Sequence, residues 1–128
     1  MATKKYNKLK LNKTHKRCMD VEGGYKGDNG RIILYPCHTG PNQKFHHNRK
    51  TKQLMIKSSG KCVDLLGDRL VQNTCSSSKK TQKWIKRKNN WISVTNNKCI
   101  RLSRSRSKIS LEKDPKTFGD LVTKKCSK

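Results

Sequence analysis

Apolar residues recur at every second position in short runs along this chain, with turn-forming residues between the runs. Leu9 and Leu11 alternate with lysines and Asn12, and Ile109 and Leu111 alternate with Ser110 and Glu112. Period-two alternation over a few residues predicts β-strands with one buried face. Read this way, the predicted strands fall into three groups of four. Lys8–Asn12, Lys16–Val21, Arg31–Tyr35 and Lys44–His47 make the first. Leu54–Lys57, Lys61–Leu65, Leu70–Asn73 and Lys83–Arg87 make the second. Trp91–Thr95, Lys98–Leu102, Lys108–Glu112 and Leu121–Lys125 make the third. Little chain is left for helices, so an all-β fold is expected.

The groups are copies of one unit. Arg17-Cys18-Met19-Asp20 returns as Lys61-Cys62-Val63-Asp64 and again as Lys98-Cys99-Ile100-Arg101. An alternating run follows each, and the first two copies then reach Gln43-Lys44-Phe45 and Gln82-Lys83-Trp84. Repeats of about 40 residues mean units that bury their apolar faces against one another. The first copy is lengthened by a turn containing Gly23-Gly24 and Gly27-Asp28-Asn29-Gly30, where the second has only Gly67-Asp68. Ser103-Arg104-Ser105-Arg106-Ser107 takes that place in the third copy, as an expected basic loop. Residues 1–128 are read as a single domain, with repeats at about 8–50, 51–90 and 91–128 and a basic arm over 1–17.

Composition adds two constraints. Hydrophobic residues make up only 30% of the 128, a small core that cross-links or a bound partner would help stabilise. The formal net charge is +24, from 32 basic and 8 acidic residues. Self-repulsion at that density favours a polyanion that neutralises it. Three basic clusters stand out. The arm carries Lys4, Lys5, Lys8, Lys10, Lys13, Lys16 and Arg17. A second stretch carries Lys79, Lys80, Lys83, Lys86, Arg87 and Lys88, and a third Arg101, Arg104, Arg106 and Lys108. Aromatic residues are 5% of the chain, so any nucleic-acid contact is expected at phosphates rather than stacked bases.

The six cysteines are even in number, which permits a disulfide framework. Repeat equivalence pairs Cys18 with Cys37 and Cys62 with Cys75. Cys99 has no matching mate, with Asp114 in the expected place, and Cys126 is left for it. Against this, residues 1–17 show no apolar secretory segment, which suggests a reducing compartment where all six would be thiols. The protein is therefore expected to be intracellular, ribosome-bound included, or exported by a route the chain does not display. No run approaches a membrane span. No Cys-x-x-Cys pair accompanies His46-His47, so no metal site is expected, and there is no phosphate loop and no expected cofactor. Carboxylates are scattered and no nucleophile has a base beside it, so an enzyme is not expected.

Cys-x-Asp, an alternating strand ending in Cys, and a Gln-x-aromatic triplet together resemble the ricin B-chain type of β-trefoil, the R-type lectins. The resemblance covers about Lys8 to Lys125. It implies a six-stranded barrel capped by three hairpins with pseudo-threefold symmetry. It also implies that Phe45 and Trp84 pack in the core and that Gln43 and Gln82 brace their repeats.

A sugar site of this kind needs a carboxylate for adjacent hydroxyls, an aromatic face for the C–H side of the ring, and an amide. The first repeat has all three in Asp20, Tyr35 and Asn42, with His38 as a further polar contact and Gln43 beside them. The second keeps Asp64 but has Asn73 for the aromatic and Thr81 for the amide, a weak second site. The third has Arg101 for the acid and Glu112 for the aromatic, suiting an anionic group rather than a neutral sugar. Two functions follow. One is a module for galactose-type or other glycans. The other is a protein that contacts RNA, ribosomal RNA included, or a sulfated glycan through Lys4, Lys5, Lys8, Lys10, Lys79, Lys80, Arg87, Arg101, Arg104 and Arg106.

Overall fold

The computed structural model describes residues 4–10, 17–105 and 119–126, the side chains of 104 and 105 excepted. The expected strand Lys108–Glu112 and the cations Lys13, Lys16, Arg106 and Lys108 lie outside the described residues. In chain order the strands are β1 (Asn7–Lys8), β2 (Arg17–Val21), β3 (Gly30–Pro36) and β4 (Lys44–His47). Then come β5 (Leu54–Ile56), β6 (Cys62–Leu66), β7 (Arg69–Asn73) and β8 (Trp84–Arg87). The last are β9 (Asn90–Ser93), β10 (Cys99–Ser105) and β11 (Gly119–Lys124). Short 3₁₀ turns at Glu22–Gly24, Pro41–Gln43 and Lys80–Gln82 interrupt them.

Three antiparallel pairs, β2–β3, β6–β7 and β10–β11, are equivalent hairpins. Their registers match: Cys18 faces Tyr35, Cys62 faces Asn73 and Cys99 faces Lys124. β1 pairs with β4, β4 with β5, and β8 with β9, while one bridge, Gln53 to Lys83, joins the chain beside β5 to the chain beside β8. These are like units about a common centre, the trefoil that the resemblance implies. Among the described residues the strand order does not return on itself.

The register corrects one reading of the third repeat. Lys124 precedes Cys126 as Tyr35 precedes Cys37 and Asn73 precedes Cys75, so Cys126 is the true equivalent of the other two mates. Spacing alone had pointed to Asp114 and Glu112, because the chain between β10 and β11 is much longer than its counterparts. β11 is thus the counterpart of β3 and β7, not a fourth strand. All three expected disulfides are present, Cys18–Cys37, Cys62–Cys75 and Cys99–Cys126, with Cα separations of 5.1, 5.0 and 5.1 Å. No cysteine is free, which argues against the all-thiol alternative.

Alternation decides which residues enter the centre. On β2, Met19 and Val21 point inward, and on β3, Ile32 and Leu34 do the same. Val63, Leu70, Ile100 and Leu121 occupy matching places in the later repeats. Phe45 and Trp84 are both core, as expected, and the Trp84 indole N–H donates to Val63 O at 3.1 Å. Trp84→Ala removes the largest core side chain and costs about 3–5 kcal/mol.

Candidate functional site

Inward-pointing Met19 and Val21 leave Cys18 and Asp20 on the opposite face of β2. Across the hairpin, Ile33 and Tyr35 share that face of β3, with Asp20 directly opposite Ile33 and diagonal to Tyr35. The 3₁₀ turn Pro41–Gln43 brings two amides over the end of β2. Gln43 Nε2 donates to Asp20 Oδ2 at 2.7 Å and to Pro36 O at 2.9 Å. Asn42 Nδ2 donates to Asp20 Oδ1 at 3.2 Å and to Val21 O at 3.0 Å. His38, placed by the Cys18–Cys37 link, sets its Nε2 3.3 Å from Asp20 Oδ2. The Gly40 N–H donates to His38 Nδ1 at 2.9 Å, so the neutral ring carries its proton on Nε2, aimed at the carboxylate. His38 N–H donates to Gln43 Oε1 at 2.8 Å and closes the network.

Beside this network lies a cavity of about 500 Å³ lined by Asp20, Glu22, Gly23, Gly24, Ile33, Tyr35, His38 and Asn42. Gly23 and Gly24 adopt φ of +65° and +67°, which lets the turn fold back without side chains crowding the opening. Tyr35 is 39% exposed and stands edge-on to His38, ring centroids 6.5 Å apart. Burial raises the Asp20 carboxyl above its usual value, with hydrogen bonding from Gln43 and the adjacent His38 acting the other way. The structure therefore brings Asp20, Tyr35, His38, Asn42 and Gln43 together, with Gln43 fully buried as a brace. Glu22 and Ile33 complete the lining and were not singled out from sequence; strand alternation alone would have placed Ile33 there.

The second repeat is built alike and filled differently. Asp64 is fully buried, and Lys79 Nζ sits 2.7 Å from its Oδ2. Asn73 Nδ2 and Gln82 Nε2 donate to the same oxygen at 3.0 and 3.3 Å, and the Leu65 N–H donates to Oδ1 at 2.7 Å. Burial by itself raises this carboxyl. Hydrogen bonds from Lys79, Thr81, Asn73 and Leu65 outweigh it and bring the pKa to about 2. In the third repeat Arg101 donates to Ile100 O at 2.9 Å, and Lys124 takes the place of Tyr35.

The expected polyanion contacts scatter. Lys79 is committed to Asp64. Lys4 Nζ lies 3.7 Å from Met55 Sδ, and Lys10 is exposed. Lys80 stands in the third 3₁₀ turn and Arg87 ends β8. Lys5 and Lys8 lie together on a basic groove. The Arg104 side chain and Arg106 are outside the described residues. No group of metal-binding side chains occurs among the described residues.

The family model for the ricin-type β-trefoil lectin domain matches residues 7–119. No curated protein sequence matches the chain. Among solved structures, the C-half of an earthworm R-type lectin in complex with GalNAc has a TM-score of 0.73 at 14% identity, covering 98% of this chain and 91% of that one. ThreeFoil, a designed three-fold symmetric protein, has a TM-score of 0.76 at 18% identity, covering 95% and 90%. The Vibrio vulnificus hemolysin/cytolysin β-trefoil lectin with N-acetyl-D-lactosamine bound has a TM-score of 0.68 at 18% identity, covering 96% and 98%. These structural likenesses bear on the fold alone.

Proposed function

Since the chain belongs to the ricin-type β-trefoil lectin domain family, whose general property is carbohydrate binding, we propose that its first repeat binds a glycan of galactose type or similar hydroxyl pattern. The observation that supports this reading is a contrast between equivalent carboxylates. Asp20 borders a cavity together with an exposed aromatic and an amide, whereas Asp64 is filled by Lys79.

An ionised carboxylate offers about four acceptor positions, and Asn42, Gln43 and His38 take three at Asp20. One position on Oδ1 is left for a sugar hydroxyl. His38, 41% exposed at its side chain, is the donor that an adjacent hydroxyl can displace. The Tyr35 ring covers the C–H face of the sugar, and the Asn42 carbonyl accepts from a further hydroxyl. Glycan-array binding followed by titration calorimetry tests this reading. Binding that persists at moderate salt and disappears in both Asp20→Asn and Tyr35→Ala is the expected result. Undiminished binding in the two variants would sink the first-repeat site.

The charge of +24 favours a second reading, contact with a polyanion through Lys and Arg. RNA, ribosomal RNA included, and sulfated glycans are its two partner classes. Three disulfides weigh toward an oxidising compartment, and so toward the second class.

A further inference from the structure

A groove of about 1030 Å³ opens between β1, the β4–β5 turn and the β8–β9 hairpin, away from the first-repeat cavity. Its apolar floor is the partly exposed Leu9 and Ile85, lying over the buried Phe45, Leu54 and Trp91. Six exposed cations line it, Lys5, Lys8, Arg49, Lys52, Lys86 and Lys88. The His46 and His47 imidazoles face it as well, and burial lowers the His47 pKa, keeping that ring a neutral hydrogen-bonding group.

Among the described residues no carboxylate lines the groove. Asp20, Asp28, Asp64, Asp68 and Asp120 are paired elsewhere, with His38, Lys61, Lys79, Lys98 and Arg31. Among the described residues, none of the six groove cations has an acidic partner. The chain has concentrated uncompensated charge around a concave surface with a greasy floor.

We propose that this groove binds a segment of a linear sulfated glycan, with sulfates on the cationic rim and sugar C–H faces on the floor. The inference rests on the second reading above and names its site and partner. The groove volume sits at the upper end of the ~300–1,000 Å³ range of ordinary ligand clefts, which suits several sugar units rather than one ion. Nucleic acid fits less well. Trp91 is only 7% exposed and Lys86 Nζ lies 5.7 Å from its ring centroid, so the floor presents no open aromatic face on which a base can stack. A pyranose needs only apolar contact there.

The test is binding of a heparin dodecasaccharide to the full chain across a salt series. A groove variant, Arg49→Gln/Lys52→Asn/Lys86→Gln/Lys88→Asn, is compared with a control of equal charge loss, Lys26→Gln/Arg69→Gln/Lys124→Gln/Lys125→Gln. Asn is used at 52 and 88 because both residues hold a positive φ that Asn tolerates. At about 0.15 M salt the groove variant is expected to bind at least about tenfold more weakly, and the control within about threefold of the parent. The salt slope of the groove variant should fall by about three. Near-ultraviolet circular dichroism verifies that both variants fold, and Asp20→Asn should leave heparin binding intact. Absence of binding by the parent at that salt to both heparin and a single-stranded RNA of equal charge removes the polyanion reading itself. Equal losses in the two variants remove the groove alone. Tighter binding of a single-stranded RNA of equal charge, lost in the groove variant, overturns the sulfated partner.

Discussion

The Lys79 ammonium lies 2.7 Å from the Asp64 carboxylate, in the place where, one repeat earlier, the Asp20 carboxylate faces a cavity and an imidazole. A single intrachain cation thus separates two carboxylates that occupy the same position of the same fold. It occupies its own carboxylate as a ligand hydroxyl would.

Lys79→Met should undo that arrangement. Asp64 would keep its burial and lose its strongest counter-interaction, so its pKa should climb well above about 2. The melting temperature at neutral pH should drop by several degrees, for a loss of roughly 1–2 kcal/mol after allowing for solvent screening at half-exposed Lys79. Carboxyl NMR titration and calorimetry read the two effects. An unchanged Asp64 titration would show that the ion pair is not what holds it ionised.

The two carboxylates should also pull stability in opposite directions with pH. Asp64 has a lowered folded value, so its contribution is fully present above the usual 3.8 and is lost as pH falls toward about 2. Asp20 has a raised folded value, so its contribution is present below 3.8 and is lost as pH rises through that raised value. Glycan binding requires ionised Asp20 and should fade on acidification at a pH above 3.8. Calorimetric titration from pH 7 downward measures it; a midpoint at or below the ordinary carboxylate value contradicts the assignment.

Asn73→Tyr combined with Lys79→Gly should convert the second repeat toward the first. The paired register Cys62–Asn73 equals Cys18–Tyr35, so the new ring lands where Tyr35 stands relative to Asp20. Glycan stoichiometry is expected to rise from one site per chain toward two. A stoichiometry that stays at one would mean that the aromatic and the freed acid do not suffice, and Thr81 would be the next position to change.

The disulfides can be separated by function. Cys18→Ser/Cys37→Ser releases the residue next to His38 and should weaken glycan binding at least about tenfold, besides costing about 2–4 kcal/mol of stability. Cys62→Ser/Cys75→Ser should cost similar stability and leave glycan binding nearly intact. Equal binding losses in the two variants would mean that the first bridge does nothing specific for the site.

Much of this was legible in the chain because it depends on local pattern. Asp20 and Tyr35 fall on the outer face of a hairpin by simple alternation, and Asn42 follows from comparing repeats. The third repeat misled, since counting from Cys99 lands on Asp114, while strand pairing, which tolerates a long excursion, selects Cys126. Lys79 was legible as a cation but not as a plug. Its partner lies fifteen positions away, and only the fold brings the pair together. The groove was hidden for the same reason: Arg49, Lys52 and Lys86 meet Lys5 and Lys8 only once β1 pairs with β4.

The three cysteine pairs span 19, 13 and 27 residues, yet their Cα separations agree within 0.1 Å. Each bridge fixes the foot of a hairpin independently of how much chain runs out beyond it. Doubling such an excursion costs only about 0.6 kcal/mol. Length can therefore vary only where a tip is unengaged, and at the second hairpin it is engaged: the Thr123 N–H donates to Asp68 O at 2.8 Å and Lys98 Nζ lies 3.8 Å from Asp68 Oδ1, so an insert at Gly67-Asp68 would loosen the second repeat from the third.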